Sequence, residues 1–177
     1  MSRLLEYVTC SPNFSRTLSM LCIFIAISGC SKAEEPTPAT VDQWLTIQIG
    51  DKPIEIQIAH LQHELSKGLM YRTSMGEHRG MLFFYGPPKQ MSFWMQNTKI
   101  PLDMGYFTSD GILREIYPMY PMDLRSVKSK RSDLLMALEM NQGWYAKNGI
   151  KPGDSFDLEA LRTALLRRGI AKTKIPF

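Results

Sequence analysis

Leu45, Ile47 and Ile49 alternate with polar residues, Gly50-Asp51-Lys52-Pro53 follows, and Ile54, Ile56 and Ile58 then resume the same alternation. Apolar residues at period two on both sides of a Gly-Asp turn share a face only as paired strands, so the segment predicts a β-hairpin buried on one side. Leu61, Leu65 and Leu69 recur at every fourth residue after it, which places a short helix on that sheet. Further strands are expected over 81–85, 92–96, 104–108, 112–117, 134–139 and 155–158. Turns are expected at Gly86-Pro87-Pro88, Ser109-Asp110-Gly111 and Pro152-Gly153-Asp154, and an exposed loop over 123–133. About six to eight strands with one or two short helices make a mainly β (α+β) fold, an antiparallel β-sandwich or partly closed barrel and not a doubly wound α/β sheet.

The region before the hairpin reads as an address. Arg3 and Arg16 supply positive charge ahead of the mostly apolar run 18–28, which at 11 residues is short of a membrane span; spanning takes about 20 apolar residues. The run ends in Ile27-Ser28-Gly29-Cys30, which resembles the bacterial lipobox. Residues 1–29 are therefore expected to be a lipoprotein signal peptide, and Cys30 to be acylated as the first residue of the mature chain. The expected location is exported and lipid-anchored, facing the periplasm. Ser31, where an Asp would resemble an inner-membrane retention signal, favours an outer membrane if the organism has one. Residues 30–43, poor in large apolar side chains and holding two prolines, read as the acylated Cys and a flexible tether. A domain over 44–158 and a basic C-terminal helix or tail over 159–177 complete the chain.

Charge and cysteines narrow the function classes. The 177-residue chain carries a formal charge of +4, and its three cysteines, Cys10, Cys22 and Cys30, all precede the domain. No disulfide framework or Cys-based zinc site can therefore form within the domain. The stretch 159–177 holds Arg162, Arg167, Arg168, Lys172 and Lys174 against Glu159, so the basicity belongs to the tail. A nearly neutral domain is not a nucleic-acid binder. The basic residues of 162–174 instead suit contact with anionic lipid headgroups.

Four pieces occur in close order: Gly68-Leu69-Met70-Tyr71-Arg72, Gly80-Met81-Leu82-Phe83-Phe84, Phe93-Trp94-Met95-Gln96-Asn97-Thr98 and Ile100-Pro101-Leu102-Asp103. Asp110-Gly111, Leu138-Glu139 with Gly143, and Gly149-Ile150 before Gly153-Asp154 follow. Together they resemble the signature of the domain-of-unknown-function family 192 (DUF192), over about residues 44–158. The resemblance implies a mainly β fold and an exported or membrane-tethered protein, and supplies no reaction. One departure is visible: the family's acidic-Arg pair ahead of Gly-Leu-Met is here Glu64 followed by Leu65.

Trp94 to Asp103 is the densest polar and aromatic segment. Trp94, Gln96, Asn97, Thr98 and Asp103, with Arg72, have the side chains of a cleft for an envelope glycan or peptide, the indole offering apolar area and the others hydrogen bonds. In the opposite reading Asn97, Thr98 and Asp103 cap the backbone and Trp94 is core. Asp103, Glu139 and Asp154 are the candidates for general acid or base in an envelope hydrolase, yet no nucleophile elbow or phosphate-binding Gly loop is present, so binding is favoured over catalysis. No cofactor is expected. No metal site is assigned either: His60, His63, Glu64 and His78 do not follow a known zinc-ligand order. Met91 and Met95 around Trp94, with Met119 and Met122, leave a Met-rich copper-binding protein as an alternative.

Overall fold

The computed structural model describes residues 37–177. The expected signal peptide, Cys30 and most of the tether lie outside the described residues.

The hairpin forms as its alternation dictates. Strand β1 (Leu45–Ile49) pairs antiparallel with β2 (Lys52–Ala59), Leu45 opposite Ile56, and the Ile and Leu side chains of both strands are buried. Helix α1 (Gln62–Lys67) follows, shorter than the leucine spacing suggests, and returns the chain so that β3 (Arg79–Lys89) runs parallel to β2. That parallel pair departs from the expected antiparallel arrangement; the helical crossover permits it. Then come β4 (Ser92–Phe93), β5 (Leu102–Thr108), β6 (Leu113–Met119), β7 (Val127–Lys128) and β8 (Leu134–Asn141). Six strands form one mixed sheet in the order β1-β2-β3-β8-β5-β6, while β4 and β7 make a separate two-stranded ribbon. Helices α2 (Trp144–Lys147) and α3 (Leu158–Arg167) and a 3₁₀ turn (Lys172–Lys174) end the chain. The fold is thus mostly β and sandwich-like, with no closed barrel among the described residues.

Several local expectations are corrected. Gly86-Pro87-Pro88 does not turn the chain; β3 runs through it, and its register against β8 shifts between Phe84 and Lys89. Proline cannot donate to a ladder, so the strand continues there only as an irregularity. The strand expected over 92–96 ends at Phe93, and 123–133 contributes β7. Residues 155–158 make isolated bridges, Ile49 with Phe156 and Ile112 with Ser155, before Leu158 opens α3. Asp157 caps that helix, its carboxylate accepting from the N–H groups of Glu159 and Ala160.

Because side chains alternate across a strand, the central sheet buries two different faces. One packs Ile47, Ile56, Leu82, Phe107 and Leu138 under Leu161 and Leu165 of α3. The other packs Met81, Phe83, Met104 and Ala137 under Met91, Phe93, Met95 and Ile100, from β4 and the segments beside it. Each fully buried side chain of this kind contributes roughly 1.5–3 kcal/mol.

Arg168 belongs to this framework and not to a solvated basic end. Its guanidinium is buried, donates to the carbonyls of Ile58 (3.0 Å) and Ala39 (2.9 Å), and pairs with the buried Glu64 carboxylate. Ala39, within the stretch expected to be tether, is itself buried and donates its N–H to the Arg167 carbonyl at 2.7 Å.

Candidate functional cleft

The chain leaving α1 and the chain leaving β4 form two walls over one point of β8. Gly68 ends α1 at φ 46°, ψ −133°, a conformation essentially reserved for glycine. A Cβ there would lie 3.2 Å from the Phe83 ring, so the absence of a side chain lets this wall sit close to the sheet. On the opposite wall Phe93 packs edge-to-face on Phe83 with ring centroids 5.0 Å apart, and Trp94 beside it is 50% exposed. Between the walls lies a cleft of about 190 Å³ lined by Lys67, Leu69, Phe83, Tyr85, Trp94, Thr98 and Glu139, among others.

Glu139 is the chemical centre of the cleft. It sits on β8 opposite Met81 of β3 and Met104 of β5, is 5% exposed, and its Oε2 is buried without a hydrogen-bond partner. Burial pushes its carboxyl up to about 8, against the opposing pull of the Arg72 charge. At neutral pH it is a protonated acid able to donate a hydrogen bond.

The structure separates the residues singled out from sequence. Trp94, Thr98 and Glu139 meet at the cleft. The Thr98 hydroxyl donates to the Gln96 carbonyl at 3.2 Å, so its oxygen remains free to accept. Asn97 takes φ 54° and is bound to Tyr71: its side-chain amide donates to the Tyr71 hydroxyl at 3.0 Å and its carbonyl accepts the Tyr71 N–H at 2.8 Å. It braces one wall against the other. Gln96 takes part through its carbonyl, and its side chain does not line the cleft. Arg72 donates to Gln57 and faces a neighbouring hollow of about 420 Å³ that shares Lys67, Gly68 and Met70 with the cleft.

Asp103 lies elsewhere. On β5 it is paired with Met140, one step out of register with Glu139, so it projects to the opposite face of the sheet and accepts the Gly143 N–H at 2.7 Å. Burial raises its carboxyl and that bond partly offsets the rise. Asp154 accepts the Lys151 N–H at 2.8 Å and holds its own turn. The hydrolase arrangement of Asp103 with Glu139 or Asp154 is therefore not assembled. Phe83, Phe93, Lys67 and Tyr85 are cleft residues that sequence reasoning missed. Phe83 and Phe93 stand inside two of the family-like pieces, Tyr85 ends the apolar run 81–85, and Lys67 immediately precedes the Gly-Leu-Met piece.

The metal candidates disperse as well. Glu64 is occupied by Arg168 and by the N–H groups of His60 and Leu61, and His78 Nδ1 accepts from the Trp144 indole at 3.1 Å. Among the described residues no three His, Cys, Asp or Glu side chains come together as metal ligands. Met91, Met95 and Met119 are buried core residues, while Met122 is exposed. A larger cavity, about 600 Å³, lies beside Gly86-Pro87-Pro88 and the C-terminal residues. It contains no buried polar atom left unpartnered, unlike the smaller cleft.

Known proteins agree on the fold and are silent on chemistry. A crystal structure of a protein of unknown function from Novosphingobium aromaticivorans is similar with a TM-score of 0.62 and 32% identity, over 71% of this chain and 94% of that one. Another, from Sinorhizobium meliloti and provisionally described as a transcription regulator, has a TM-score of 0.64 and 28% identity, over 67% of this chain and 96% of that one. No curated protein matches the chain. The model of the DUF192 family, described as Uncharacterized ACR, matches residues 45–158, which hold both walls and the floor of the cleft, and the chain belongs to that family.

Proposed function

We propose that this protein is a glycan-binding module of the cell envelope, lipid-anchored through Cys30 on the periplasmic side and receiving one polar group of its ligand at Glu139. The observation that carries the reading is Glu139, a buried carboxyl with an unpartnered Oε2, in the lining of a cleft that also holds Phe83, Phe93 and Trp94. An orphaned buried carboxyl oxygen costs roughly 1–3 kcal/mol, a cost that a ligand bond can relieve. A half-exposed Trp94 at the entrance supports a saccharide, because its indole can cover the apolar face of a sugar ring. A lone carboxyl in the cleft supports binding over hydrolysis, which generally uses two.

The test is retention of the full-length chain, in detergent, on immobilised envelope polysaccharide from its own host. Retention is expected, and Trp94→Ala or Glu139→Leu should weaken it about tenfold or more, equivalent to at least ~1.4 kcal/mol. Equal retention of both variants, or none for the parent, would refute the reading. Incorporation of a labelled fatty acid that stops in Cys30→Ala is the expected result for the anchor.

A further inference from the structure

We infer that the group received in the cleft is the acetamido substituent of an N-acetylated amino sugar, bound as a neutral hydrogen-bond acceptor and donor with its methyl against the Phe83 and Phe93 rings. This deepens the glycan-binding reading and rests on it.

Size is the first argument. The cleft of about 190 Å³ is smaller than a pocket for a whole small molecule; such pockets hold roughly 300–1,000 Å³. At ~30 Å³ per water, it has the room of about six waters. It therefore takes one substituent, while the ring that bears it stays outside against the exposed Trp94.

Chemistry is the second. An acetamido group has a methyl, a carbonyl oxygen and an N–H, and the cleft offers a match for each. The methyl suits the corner made by Phe83 and Phe93, whose rings meet at 70°. The carbonyl can accept the proton of Glu139, whose Oε2 has no other partner. The N–H can be received by the Thr98 oxygen, because the Thr98 proton is already committed to the Gln96 carbonyl. An amine is a poorer fit, since Lys67 lines the cleft and the Arg72 charge already acts on Glu139. A bare hydroxyl would leave the aromatic corner unfilled.

The three possibilities separate with three disaccharides of the same linkage that differ only in the group at C2 of each ring: N,N′-diacetylchitobiose, its de-N-acetylated form chitobiose, and cellobiose. Calorimetric titration of the full-length chain should show the diacetylated sugar binding about tenfold or more tightly than the other two. Glu139→Gln should keep that preference, because a side-chain amide also donates, whereas Glu139→Leu should lose it. In the parent, affinity should fall as pH rises through about 8, where Glu139 gives up its proton; in Glu139→Gln it should not. The other titratable groups facing Glu139 are Arg72 and Lys67 from the α1 side, Tyr85 and Tyr106 from β3 and β5, and Tyr145. Burial and Glu139 raise the three tyrosines further from that pH, and the Arg72 guanidinium keeps its charge. Equal binding of cellobiose, or tighter binding of chitobiose, would overturn the acetamido assignment while leaving a glycan-binding cleft in place. Failure of all three sugars, with polysaccharide retention still dependent on Trp94 and Glu139, would overturn it too. Loss of that retention would bring down the broader reading as well.

Discussion

Asp103 and Glu139 are buried carboxyls on adjacent strands, one residue apart in register, and their fates differ because the pleat sends them to opposite faces. Asp103 meets the backbone of the turn after β8 and receives a hydrogen bond from Gly143. Glu139 meets aromatic rings and a cleft, and one oxygen stays orphaned. Two acidic residues of similar burial thus differ in their surroundings, the first holding a turn and the second left without a partner for one oxygen. A carboxyl is worth reading as functional when burial comes without compensation.

Glu64 is the standard against which both are measured, since its burial is compensated by a guanidinium. The largest effect is expected from Arg168→Ala, which strands the Glu64 carboxylate and frees the carbonyls of Ile58 and Ala39. Removing one partner of a buried pair costs about 3–5 kcal/mol, which chemical denaturation would measure. A loss below ~1 kcal/mol would mean that the pair is not a structural clasp.

Glu139→Gln comes next and should be stabilising, by an amount that depends on pH. The folded protein holds the Glu139 proton up to about 8, against 4.5 for an unperturbed carboxyl. The stability it contributes is therefore complete below about 4.5 and lost as pH rises through about 8. Glutamine does not titrate, so the variant should gain a few kcal/mol on the parent between about pH 5 and about pH 8. A pH-independent difference would show that Glu139 is already ionised and would dissolve the contrast with Asp103.

The smallest of the three is Asp103→Ala, which leaves the Gly143 N–H without its acceptor. It should cost about 1–3 kcal/mol in denaturation and leave saccharide affinity unchanged. A loss of affinity with stability preserved would place Asp103 in the binding site and reverse the comparison.

Much of the architecture was legible from local pattern. The Leu45–Ile58 alternation wrote the hairpin, and the apolar runs around Phe83, Met104 and Leu138 marked central strands. What misled was local chemistry whose meaning depends on partners. Gly86-Pro87-Pro88 reads as a turn but is carried along by the strand, because β8 supplies pairing on both sides of it. Arg168 reads as part of a solvated tail, yet Glu64, 104 residues earlier, holds it in the interior.

The candidate site divides in the same way. Trp94 and Thr98 stand out in the sequence as members of one polar-aromatic segment, and Glu139 as an acid inside an apolar run. Their convergence needs the order β3-β8-β5, which sets Glu139 on the same sheet face as Phe83 and between walls supplied by residues 67–70 and 92–98. The sequence by itself determined the periodicities, the placement of charge in the tail and the family signature, since these are properties of neighbours along the chain. Only the tertiary structure decided which buried acid was satisfied, because a hydrogen-bond partner is a matter of strand register and face, and residues as far apart in sequence as Met104 and Glu139 become neighbours only when the sheet is built.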